Sequence, residues 1–133
     1  MARTNSTFSA ARAFAVLAIA CASSGSAACS DKSDLPRTLA GADPANGLIV
    51  IERVGCASCH AVPGVRWPVG ATAASLDGFG DSPLISGRLP NQPDTLVRFL
   101  RNAPALDPQT AMPPMPLSQA EARDVAAYLY TLR

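Results

Sequence analysis

The chain is short of the residues that most often bind metals or carry charge. Its 133 residues include one histidine, His60, and one lysine, Lys32; aromatics make up 5% and charged residues 16%. One histidine excludes a bis-histidine centre within the chain. It also argues against a four-ligand zinc site, which needs a second Cys/His pair. With so little lysine there is no basic stripe for nucleic acid, and no lysine-ringed face to steer a partner over distance. Two of the eleven basic residues, Arg3 and Arg12, fall in the first thirty positions and none of the ten acidic ones does, so the rest of the chain is close to neutral. No repeat or low-complexity tract is present.

The opening lacks acidic residues before Asp31 and holds one short apolar run, Ala13 to Ala22, followed by the small residues Ser23 to Ala28. That is the layout of an export signal over residues 1–28, too short for a transmembrane helix. Ala18-Ile19-Ala20-Cys21 and Ser26-Ala27-Ala28-Cys29 both resemble lipoprotein cleavage boxes. In such proteins the cysteine becomes the lipidated first residue, and its three chains suffice for a stable anchor. Plain cleavage near Ala28, giving a soluble periplasmic protein, is the other reading. Residues 29–42 read as a flexible tether and 43–133 as one domain.

With the leader set aside, two cysteines remain, in Cys56-Ala57-Ser58-Cys59-His60. C-x-x-C-H is the attachment pattern of a c-type haem. Two thiols at this spacing add to the two porphyrin vinyl groups, and the adjoining imidazole reaches the iron. A thioredoxin-like pair would open a helix within a βαβ pattern, and none is visible. Export agrees with this chemistry, since attachment joins reduced thiols to haem outside the cytoplasm.

Asp43-Pro44 is an N-cap with proline at the first helical position. Leu48, Val50, Ile51 and Val54 then form an apolar face up to Cys56. Ala61 to Pro90 is rich in Gly and Pro and lacks helical spacing. A loop of thirty residues suits a compact domain only if it wraps something large and apolar. Pro93 to Arg101 predicts a second helix, and Ala103 to Pro116 a Pro-rich loop. Ser118-Gln119-Ala120-Glu121 is a capping box. It opens a last helix with Ala122, Val125, Ala126, Leu129 and Leu132 at 3.6-residue spacing. The expected core is Ile51, Val54, Leu76, Phe79, Leu96, Phe99, Leu100, Val125 and Leu129, completed by the haem.

For the second axial position the sequence offers Met112, Met115 or no ligand. A thioether there raises the reduction potential. The other reading of either methionine is a core gap-filler.

From Asp43 to Leu132 the order of these features resembles class I cytochrome c. That resemblance implies an all-α cytochrome c fold, three to four helices and Gly/Pro-rich loops around one covalently bound haem c. It also implies that the first and last helices cross in contact, with Gly47 and Ile51 on one side and Tyr128 and Leu129 on the other. The segment Leu89-Pro90-Asn91-Gln92-Pro93-Asp94-Thr95-Leu96, followed by Met112-Pro113, is similar to the cytochrome c domain of bacterial oxidase subunit II. By this resemblance Met112 is the sixth ligand and Met115 a packing residue, with the haem bound through Cys56, Cys59, His60 and Met112. Where the family has Gly-Pro, whose proline helps place a carbonyl against the Nδ1–H of the haem histidine, this chain has Ala73-Ala74. An arginine usual after Gly78-Phe79 is also missing, which leaves Arg66, Trp67 or Arg88 as candidates for the propionates.

The expected function is one-electron transfer in a bacterial respiratory chain. The partners would be a terminal oxidase or a quinol-oxidising complex, met by a monomer through an apolar haem edge. A haem enzyme or gas sensor with an open distal site is the alternative, although the distal histidine usual there is absent. After expression with haem-attachment machinery, intact mass and a denaturing haem stain should show one haem per chain. Free thiols at Cys56 and Cys59 would overturn the assignment.

Overall fold

The computed structural model describes residues 37–133; the expected export signal, Cys21, Cys29 and the start of the expected tether lie outside the described residues. The elements run α1 (Pro44–Val54), β1 (Leu84–Ile85), β2 (Leu89–Pro90), α2 (Pro93–Arg101), α3 (Ala103–Leu106) and α4 (Gln119–Leu129), with single 3₁₀ turns at Cys56–Ser58 and Phe79–Asp81.

The helix boundaries follow from the capping chemistry. Asp43 is extended and its side chain accepts from the Ala45 N–H, so one of the orphan donors of the first turn is satisfied. Gly55 closes α1 in the left-handed conformation (φ 78°), which other residues adopt only with strain. The chain thereby turns off the helix axis just before Cys56. Ser118 and Glu121 form the reciprocal capping box at the start of α4.

α1 and α4 cross at Gly47. A β-carbon there would sit 2.1 Å from the Asp124 carbonyl oxygen, so only glycine allows the two backbones to meet. Asp124 locks the crossing, accepting from the Asp43 N–H at 2.8 Å and the Asn46 amide at 2.7 Å. Arg53 pairs with Glu121 further along. α2 also packs on α4. The core between them contains Ile51, Leu96, Phe99, Leu100, Val125 and Leu129, all buried as expected, together with Val50, Ile85, Leu117, Tyr130 and Leu132. Val54, Leu76 and Phe79 are half-buried at its edge.

Two short features lie in stretches read as loop. β1 and β2 form a minimal antiparallel hairpin, Leu84 opposite Pro90 and Ile85 opposite Leu89. α3 occupies part of the stretch read as loop, because Pro104 sits at its first turn, where a missing N–H costs nothing. Residues 37–42, read as the end of the tether, pack on the domain. Leu39 is buried, Arg37 donates to the Gly80 carbonyl at 2.6 Å and Arg123 to the Ala40 carbonyl at 2.8 Å.

The irregular half is held by buried polar groups. Asn91 is fully buried and donates to the carbonyls of Phe79 (3.2 Å) and Ser82 (2.9 Å). Its own oxygen accepts from the Tyr130 hydroxyl at 3.0 Å. Burial pushes that hydroxyl up to about 12, with Arg37 acting in the opposite direction.

Two outcomes are expected. Gly47→Val should lower the denaturant stability of the haem-loaded protein by roughly 1–3 kcal/mol or more, the cost of overpacking. Tyr130 holds its proton more tightly when folded, so its contribution is complete below about pH 10, the unfolded value, and is lost as pH rises through about 12. Unfolding midpoints measured from pH 8 to 12 should therefore fall in that window, and the fall should be shallower in Tyr130→Phe.

Candidate functional site

The attachment motif starts where α1 stops. Gly55 turns the chain, Cys56–Ser58 forms a 3₁₀ turn, and the N–H groups of Cys59 and His60 both bond to the Cys56 carbonyl, at 3.2 and 3.1 Å. Cys56 is half-buried and Cys59 exposed, and neither is in a disulfide. Burial raises the Cys56 thiol above its usual range; nearby Cys59 adds to this and a backbone hydrogen bond opposes it.

The loop after the motif folds back on it. Gly70 N–H donates to Ala57 O at 2.8 Å, Ala73 N–H to Cys59 O at 3.0 Å, and Leu76 N–H to Ala61 O at 2.9 Å. Tyr128 on α4 pins the near end of this loop through its hydroxyl, which donates to Pro63 O at 2.5 Å. The result places the Ala74 carbonyl 2.7 Å from His60 Nδ1. A carbonyl only accepts, so Nδ1 carries the proton and Nε2 keeps its lone pair for a metal. The bond needs no proline at this position: the backbone anchors on either side supply the placement.

The motif opens onto a narrow apolar cavity of about 60 Å³. Its walls come from three helices, the long loop and the hairpin: Ile51 of α1, Leu76 and Phe79 of the long loop, Ile85 of the hairpin, Leu96, Phe99 and Leu100 of α2, and Val125 and Leu129 of α4. Three lining residues carry heteroatoms in their side chains, Cys56, His60 and Met112. The donor set, one imidazole, one thiol and one thioether on an otherwise apolar lining, suits a large apolar ring held by thioether and imidazole. The residues present fit a haem.

The two methionines part company here. Met112 lines the cavity with His60, while Met115 lines a separate surface hollow with Arg98, Arg101 and Leu117. None of the propionate candidates lines the cavity. Arg66 is exposed, Trp67 is 85% exposed, and Arg88 is paired with Asp107. Ile85 was missed as a site residue. Its only signal was a two-residue apolar step in a Gly/Pro-rich stretch, and the hairpin that turns it inward is a tertiary feature.

Comparison with known proteins agrees with this architecture. The family model described as cytochrome c oxidase, cbb3-type, subunit III, matches residues 42–129. Cytochrome c-552 of Bradyrhizobium diazoefficiens is 36% identical over 92 residues, which cover 69% of this chain and 77% of that protein. The chain belongs to the class I c-type cytochromes. Cytochrome c oxidase subunit 2 of Alkalihalophilus pseudofirmus is 31% identical over 88 residues, 65% of this chain but a quarter (25%) of that longer protein. As a monohaem c-type cytochrome the protein carries covalent haem c and works by haem-based electron transfer.

Proposed function

We propose that this cytochrome carries single electrons in a bacterial respiratory chain and passes them towards a terminal oxidase, with Cys56 and Cys59 holding the haem and His60 and Met112 as axial ligands. The observation that carries the reading is the meeting of His60 and Met112 on the lining of one otherwise apolar cavity. When bound, the haem supplies one-electron exchange between ferric and ferrous iron.

The protein's own residues do the rest. The Ala74 carbonyl fixes the tautomer and orientation of His60. The Met112 thioether favours the ferrous state and raises the potential. Ile51, Leu96, Leu100, Val125 and Leu129 exclude water, which keeps the local dielectric low and tunes the iron. A substrate-activating or gas-sensing site would have a polar group on the distal side. Apart from Cys56, His60 and Met112, all residues lining the cavity are apolar. The oxidase direction is supported by the likeness to an oxidase subunit, and a terminal oxidase or quinol-oxidising complex is the partner class. No helix among the described residues is long and apolar enough to cross a membrane. We place the protein in the periplasm or at the outer face of the inner membrane, exported by residues 1–28 and, in the anchored form, lipidated at Cys21 or Cys29.

Met112→Ala should admit carbon monoxide or cyanide to the iron and lower the potential by roughly 100 mV or more, within the ~0.8 V that axial ligands span. Met115→Ala should do neither. Redox titration and ligand-binding spectra of the two variants check this, and an exchange of their behaviours would overturn the ligand assignment.

A further inference from the structure

Asp107 is a carboxylate at the end of α3, only 4% exposed, and takes no part in the site described above. Its Oδ1 accepts from Arg88 Nη1 at 2.7 Å and from the Gln109 N–H at 3.2 Å, and its Oδ2 accepts from Ser86 Oγ at 3.0 Å. Ser86 and Arg88 both belong to the tight turn between β1 and β2. Ser86 is held there in the left-handed conformation (φ 54°) that a non-glycine residue rarely adopts. Ile85, the neighbour of Ser86, lines the haem cavity.

The other side of Asp107 leads to Met112. The Asp107 carbonyl accepts from the Thr110 N–H at 3.0 Å, and Thr110 Oγ1 accepts from the Met112 N–H at 3.2 Å. A continuous run of hydrogen bonds therefore joins the hairpin turn to Met112. Between α3 and α4 the Met112 loop has no regular structure of its own, so its position depends on such fixed points. A buried carboxylate is also costly to leave unpartnered, which makes this anchor cooperative. Burial works to raise the Asp107 pKa, but the hydrogen bonds from Ser86, Gln109 and Arg88 outweigh it and hold the group below the usual carboxylate range. It is ionised at neutral pH, and its bond to Arg88 is charge-assisted.

We propose that Asp107 is a positioning residue: it anchors the Met112 loop to the β1–β2 turn and thereby governs how firmly Met112 holds the sixth position on the iron. The inference rests on the reading of Met112 as axial ligand. It ties two walls of one cavity, Ile85 and Met112, through a group that does not itself line the cavity.

The test uses the full haem-loaded chain. Two quantities are read: the weak near-infrared band of methionine-bound ferric iron, and the rate of carbon monoxide binding to ferrous iron, which requires Met112 to leave. Asp107→Ala should weaken the band and speed carbon monoxide binding by tenfold or more, with far-ultraviolet dichroism unchanged. Ser86→Ala and Arg88→Gln should each give a smaller increase. Asp81→Asn, which breaks the exposed pair with Arg133, should give none. If Asp107→Ala does not retain haem, Ser86→Ala and Arg88→Gln decide the matter. Wild-type rates and a wild-type band in both overturn the anchor. A wild-type protein with no such band overturns the Met112 reading itself, and the anchor with it.

Discussion

The close approach of α1 to α4 at Gly47 is the constraint on which the rest of this molecule depends. Two backbones meet there with no side chain between them, and Asp124 fastens the contact from one side. Once the crossing is set, Ile51 of α1 and Val125 and Leu129 of α4 face the same space. The C-terminus of α1 delivers the attachment motif to that space, where Cys56 and His60 line it. A larger residue at position 47 would push the helices apart and widen the cavity at the wall that most needs to exclude water.

Helices build only half of the enclosure. The other half is Gly/Pro-rich chain with few backbone ladders, and it is held by a small number of buried polar groups. Asn91 gathers two carbonyls and the Tyr130 hydroxyl. Asp107 gathers the hairpin turn and the Met112 loop. In such a region one satisfied polar side chain does what several residues of sheet or helix do elsewhere. Losing either partner leaves a desolvated group unpaired. This division of labour fits electron transfer. The apolar helix walls set the dielectric round the iron, and the pinned loops fix the ligand geometry, so little need rearrange when the charge changes.

His60 shows how a departure from family pattern is absorbed. The chain lacks the Gly-Pro step that commonly precedes the leucine matched by Leu76, yet the Ala74 carbonyl still meets Nδ1 at 2.7 Å. The bonds from Gly70 and Ala73 on one side and from Leu76 on the other confine Ala74. What proline does elsewhere by restricting φ is done here by hydrogen bonds back to the attachment turn itself.

Much of this was legible in the residues alone, for reasons of short range. C-x-x-C-H is a covalent spacing rule, and Asp43-Pro44 and the Ser118–Glu121 box are local capping chemistry. The faces of α2 and α4 follow from a 3.6-residue period. Each depends only on neighbours within a turn or two. The choice between Met112 and Met115 as cavity lining did not follow from any local rule. Both sit in the same Pro-rich loop, and only the path of that loop past the hairpin turns one to the cavity and the other to a surface hollow. The same holds for Ile85, for the burial of Leu39, and for Arg88, which the sequence offered as a propionate partner and the fold spends on Asp107. These are contacts between segments far apart in the chain, and in stretches without periodicity nothing local encodes which side faces in.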